Sequence, residues 1–120
     1  MSKNQPFRAR FRFALDGLWF SVRNERSMRV HLVALALVAI AMIVINPPAQ
    51  WWALVALACG AVLTTELINT AIEHLADHLH PERHPSIRVV KDCAAAAALI
   101  SSTAAVGVGI ALAIHVWRSP

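Results

Sequence analysis

Residues Trp51–Glu73 read WWALVALACGAVLTTELINTAIE. From Trp51 to Thr65 no side chain is charged, and the run then meets Glu66, Asn69 and Glu73. A carboxylate at the end of such an apolar stretch is costly unless it has a partner or a task. On a helix, positions 66, 69 and 73 share one face, and Asp77 continues the stripe. Reading the segment as a membrane span that ends in a polar face decides the fold. The flanking sequence is consistent with it.

Upstream, the charge-free region reaches back to Val30, giving 36 residues without Asp, Glu, Lys or Arg; a second such region, Cys93–Trp117, is 25 residues long. A bilayer needs roughly 20 apolar residues per helical span. Apolar residues make up 58% of the chain and charged residues 15%, against about 45–50% and about a quarter in ordinary soluble domains. A soluble bundle would interrupt these runs with polar residues every three or four positions. The expectation is a single all-α membrane domain over 1–120, with spans at about 28–46, 50–79 and 92–117. Asn46-Pro47-Pro48 closes the first span, and Pro81 lies beyond the second. A charged loop then covers 80–91.

Before the first span, Phe7, Phe11, Ala14, Leu15, Leu18 and Val22 recur at helical spacing, with Arg8, Arg12, Asp16 and Arg23 on the neighbouring face. The pattern predicts an amphipathic helix over 7–23 lying in the membrane interface. The competing reading is a core-facing helix of a soluble domain.

The formal charge is +4, and ten of the eleven Lys and Arg residues lie before Val30 or within 81–91; only Arg118 lies elsewhere. This basic balance fits topology and anionic headgroups rather than nucleic acid. By the positive-inside rule the N-terminus and the 80–91 loop are cytoplasmic and the C-terminus is outside. Trp51, Trp52 and Trp117 then share the outer interface, as an aromatic belt does. Cys59 and Cys93 form no CxxC pair and read as reduced and structural. Met1–Gln5 has neither the apolar region nor the cleavage site of a signal peptide. The small residues of Ala94–Ala98 and Ser101–Ala105 allow close helix approach, and three thin helices imply a homo-oligomer.

Several residues are candidates for chemistry. Glu66 lies nearest the hydrocarbon and is suited to accept a proton. Glu73 lies nearer the cytoplasm, where a soluble phosphate donor and a hard cation would meet it. Glu25 would complete a carboxylate pair. Lys91 would reach a phosphate, while Asp92 reads as a helix N-cap. His74 and His78, with His80 and His84 following, would form a zinc face or, more simply, a solvated cytoplasmic rim. His115 reads as interfacial. The sequence contains no GxxxxGK[ST] and no Gly-rich kinase loop.

Glu66-Leu67-Ile68-Asn69-Thr70-Ala71-Ile72-Glu73, with Asp77 and Lys91-Asp92, resembles the signature of the small prokaryotic diacylglycerol kinase family. The resemblance extends to Ala14–Leu18 (Ala-Leu-Asp-Gly-Leu) and to Asn24-Glu25 through Arg29, and the Glu25-to-Glu66 spacing fits without a gap. It implies a homotrimer with three spans and a surface helix per subunit, moving the γ-phosphate of MgATP to a membrane lipid hydroxyl. By position, Glu66 would be the general base, and Glu25 and Glu73 would hold Mg²⁺. Phe13, Glu25, Glu73, Glu82, Arg83, His84, Lys91 and Asp92 would contact ATP. Glu66, Asn69, Arg29 and Ala95 would contact the acceptor. Arg8, Arg10 and Arg12 are all candidates for a further nucleotide contact. Cys93-Ala94-Ala95 stands where relatives often carry a glycine and a serine. The stretch Glu25–His31 resembles the undecaprenol kinase branch more than the diacylglycerol branch, and both acceptors stay open. Two other classes compete: a non-enzymatic oligomeric subunit glued by the polar stripe, and a small proton-coupled transporter using Glu66.

Overall fold

The computed structural model describes residues 4–119, in which four helices follow one another: α1 (Phe7–Asn24), α2 (Arg26–Ile45), α3 (Ala49–Leu79) and α4 (Pro85–Arg118). α2, α3 and α4 are each long and apolar enough to cross a bilayer. The molecule is elongated, 57 × 39 × 22 Å.

The breaks between helices have local causes. Between α1 and α2 a single residue, Glu25, turns extended (φ −111°, ψ 117°), while its N–H still donates to the Ser21 carbonyl at 2.8 Å. Arg29 Nη1 reaches back to the carbonyls of Val22 (3.0 Å) and Arg23 (2.9 Å), satisfying orphan acceptors at the end of α1. α2 ends on Asn46 in the left-handed region (φ 46°, ψ 59°), which asparagine tolerates, and Pro47-Pro48 then prevents continuation.

α4 corrects the expected boundary. It begins at Pro85, seven residues before position 92, because proline presets the first helical turn and His84 Nδ1 accepts the Ser86 N–H at 3.1 Å. The connection shrinks to residues 80–84. Asp92 therefore lies inside the helix, 3.7 Å from Arg88 Nε, and is not an N-cap.

The principal packing is α4 against α3, antiparallel. On α4 the less exposed residues include Ala94, Ala98, Ser101, Ala105, Val108 and Leu112. On α3, Val55, Ala58, Val62, Thr65, Asn69 and Ala76 keep the same alternating spacing of three and four, or a multiple of it. That seven-residue repeat keeps a narrow seam facing its partner. The small side chains let the backbones approach closely, as intramembrane helix pairs require. The seam is tied at three levels: Trp51 against His115 (ring centroids 5.3 Å apart), Thr65 Oγ1 to Ser101 Oγ (2.6 Å), and Lys91 Nζ to Asp77 Oδ1.

α2 leans on α3 through Met28 and Met42, both essentially fully buried, and α1 touches α2 and α3 near its C-terminal end. Most large apolar side chains face outward, among them Leu37, Ile43, Leu57, Ile100 and Ile110. In water such exposure would be untenable. Around spans whose backbone groups are satisfied internally, lipid is the matching solvent.

Candidate active site

Glu66 is the most deeply placed carboxylate in the structure, with only 4% of its surface exposed. It lies about 26 Å along α3 from Ala49 at the usual helical rise. Two side chains of α2 meet it. Ser27 Oγ donates to Glu66 Oε1, and His31 Nε2 lies 3.5 Å from Oε2. Ser27 and His31 are four residues apart, so one face of α2 presents both. Buried Met28 anchors α2 at this level. Within α3, Thr70 Oγ1 donates to the Glu66 carbonyl at 3.0 Å. A neighbouring helix thus holds one carboxylate oxygen by a hydrogen bond and places an imidazole near the other.

Asn69, one turn further along α3, is partly buried, and its Oδ1 has no hydrogen-bond partner. A buried amide oxygen left unpaired costs about 1–3 kcal/mol. An acceptor held open beside Glu66 is suited to a donor that arrives with a ligand.

Glu25 is carried inward by its extended backbone, and its Oε1 lies 3.6 Å from His74 Nε2. Phe20 packs edge-on against the His74 ring (centroids 5.0 Å apart, 72° between planes), linking α1 to α3. Glu73 is the neighbour of His74 in sequence and is partly exposed, with no ion pair or hydrogen bond among the described residues. Among those residues no three His, Cys, Asp or Glu side chains converge on one point. Mg²⁺ commonly uses one or two carboxylates and completes its shell with water and substrate phosphates, so the Glu25 and Glu73 oxygens are a fitting donor set.

Five residues expected near the nucleotide come together. Glu82, Arg83, His84, Lys91 and Asp92 line one open pocket of about 660 Å³ at the α3–α4 turn. Arg88 is also part of its wall, a residue missed in the sequence. Lys91, which lines this pocket, pairs with Asp77 through Nζ, and the His80 and His84 ring centroids lie 5.3 Å apart with the planes tilted by 55°. Phe13 lies outside that pocket, exposed on α1; Ala95 is exposed on α4; Arg29 Nη1 is engaged by the α1 carbonyls. His74 is drawn to Glu25, and His78 is exposed. A second, apolar groove of about 540 Å³ runs between α2, α3 and α4, lined by Leu35, Val38, Val62, Leu63 and Ala105, with His31 at its Glu66 end.

Ser27 and His31 were not legible as site residues. Their i, i+4 spacing at the start of a span was the available signal, but polar residues there also suit an interfacial junction.

The sequence is similar to known proteins. The family model described as "Prokaryotic diacylglycerol kinase" matches residues 12–113, which include Glu25, Glu66, Glu73 and the α3–α4 turn. An undecaprenol kinase from Bacillus subtilis (strain 168) is 31% identical over 94 residues, covering 78% of this chain and 76% of the relative. A diacylglycerol kinase from Synechocystis sp. (strain ATCC 27184 / PCC 6803 / Kazusa) is 34% identical over 100 residues, covering 82% of this chain and 57% of that longer relative. With three apolar helices, a hydroxyl-bearing contact on a buried carboxylate and this family match, the chain belongs to the prokaryotic diacylglycerol kinase family and is a lipid kinase.

Proposed function

We propose that the chain transfers the γ-phosphate of ATP, with Mg²⁺, to the hydroxyl of a membrane lipid alcohol, either diacylglycerol or undecaprenol. The observation that carries this reading is the setting of Glu66: a buried carboxylate at the end of a span, already accepting a hydroxyl on Oε1, beside an apolar groove. An acceptor lipid with its chain along that groove would bring its hydroxyl to Oε1 in place of Ser27. Glu66 takes the proton as the lipid oxygen attacks the γ-phosphorus and ADP leaves. Asn69 Oδ1 is open to orient the acceptor headgroup.

Glu25 and Glu73 would hold the metal, which neutralises charge on the transferring phosphoryl group. Arg83 and Lys91 supply cations for the phosphates, with Glu82, His84 and Asp92 completing the nucleotide pocket. Glu66 and Glu73 are seven residues apart, about 10 Å along the axis. That separation lets lipid approach from one side and the nucleotide from the other. Phosphoryl transfer needs mainly positioning and electrostatic stabilisation, so no covalent role for the chain is invoked.

The working orientation has α1 and the 80–84 turn on the cytoplasmic side of a bacterial inner membrane, with the C-terminus outside. The working assembly is a homotrimer. The open apolar faces of α2 and α4 support such packing.

The test is phosphate incorporation from labelled ATP in mixed micelles with Mg²⁺, with diacylglycerol and undecaprenol assayed side by side. Strong labelling of one lipid identifies the acceptor. Labelling of neither overturns the reading.

A further inference from the structure

The two oxygens of Glu66 have different neighbours. Oε1 is faced by a hydroxyl, the same kind of group as the acceptor's; Oε2 is faced by the imidazole of His31 at 3.5 Å. At 3.5 Å this is an ion-pair distance rather than a formed hydrogen bond, and a small approach would let an Nε2–H donate to Oε2. We propose that His31 is a positioning residue for the reaction, holding Oε2 so that Oε1 stays aimed at the acceptor hydroxyl. This inference rests on the reading of Glu66 as the base.

The acceptor hydroxyl takes the place of Ser27 on Oε1, and the serine contact that helped fix the carboxylate is lost. At 4% exposure, water offers little compensation. His31 is then the remaining polar side chain among the described residues placed at the carboxylate and able to donate to it. Without it the carboxylate is freer to rotate, and the near-attack geometry that proton transfer depends on is populated less often. His31 is held for this task, because it sits one turn after Ser27 and just beyond buried Met28 on α2. It also borders the apolar groove, between the lipid chain and the base. No ion pair or hydrogen bond links it to Glu25 or Glu73 among the described residues, which separates its role from theirs.

The experiment compares His31→Gln and His31→Met, two replacements of similar size, in the full-length protein with MgATP and the better acceptor lipid. Gln keeps an N–H donor, and Met keeps the bulk without one. The expected result is a kcat within about threefold of wild type for H31Q and a kcat lowered about 10- to 100-fold for H31M, with KM for MgATP unchanged in both. In a Glu66→Asp background, where the carboxylate is drawn back by one methylene, H31M is expected to cost less than about threefold, because residues acting as a unit are not additive. Equal kcat for H31Q and H31M, or the same H31M loss in both backgrounds, overturns the proposal. A loss confined to KM for MgATP also overturns it. An unaffected E66D or Glu66→Gln variant would instead overturn the assignment of Glu66, which separates the two failures.

Discussion

Thr65 Oγ1 and Ser101 Oγ meet at 2.6 Å across the α3–α4 seam, one residue before the candidate base. Each hydroxyl also has a carbonyl within its own helix, Ala61 or Val62 for Thr65 and Ala98 for Ser101. The contact therefore adds specificity more than energy. Ser101→Ala is expected to lower stability by only about 0.5–1 kcal/mol, since the remaining hydroxyl falls back on its own helix. Ser101→Leu should cost more, because it forces the seam apart and tilts Glu66 away from α2. Denaturant titration in mixed micelles reads the first effect, and the ratio of activity to folded fraction reads the second.

Lys91 and Asp77 join the proposed nucleotide pocket to α3. Both side chains are substantially exposed, 36% and 62%, so the pair itself contributes at most about 1 kcal/mol. Lys91→Met removes a phosphate cation and is expected to raise KM for ATP by about tenfold or more, near the value of one charge-assisted contact. Asp77→Asn only frees the lysine, and a change in KM below about threefold is expected. A steady-state ATP titration of both variants checks the contrast.

Glu25 ends α1 and pairs with His74, the sequence neighbour of Glu73 on α3. If both hold the metal, Glu73→Gln should raise the Mg²⁺ concentration for half-maximal activity by about 10-fold or more, with activity partly recovered at high Mg²⁺. Lipid affinity should be unchanged. A Mg²⁺ titration at saturating ATP and lipid measures this directly.

Much of the fold was legible because the bilayer imposes simple demands. Charge-free runs marked the spans, and Asn46-Pro47-Pro48 marked the first turn. The start of α4 was not legible, because its charged first turns, Pro85–Lys91, look like a loop when polarity is the guide. In fact a proline at the first helical position and a histidine cap begin the helix ahead of the apolar run. Asp92 was misread for the same reason. The polar stripe Glu66, Asn69, Glu73 was visible from spacing, but its partners were not. Ser27 and His31 are 39 and 35 residues away in sequence, and their meeting with Glu66 depends on how α2 leans on α3, which no local pattern encodes. The position of Arg29 was hidden too, since a cation before a span fits headgroups as readily as helix capping.

The central claim is that Glu66 takes the proton from a lipid hydroxyl. Its most direct test is the rate of ³²P transfer from ATP to lipid by Glu66→Gln, with folding and ATP binding shown to match wild type. Gln keeps the shape and a hydrogen-bonding oxygen but cannot accept the proton. The account predicts a kcat lowered by about 10²–10⁴-fold at unchanged KM for ATP. A Glu66→Gln enzyme that phosphorylates lipid within a few-fold of the wild-type rate would contradict it.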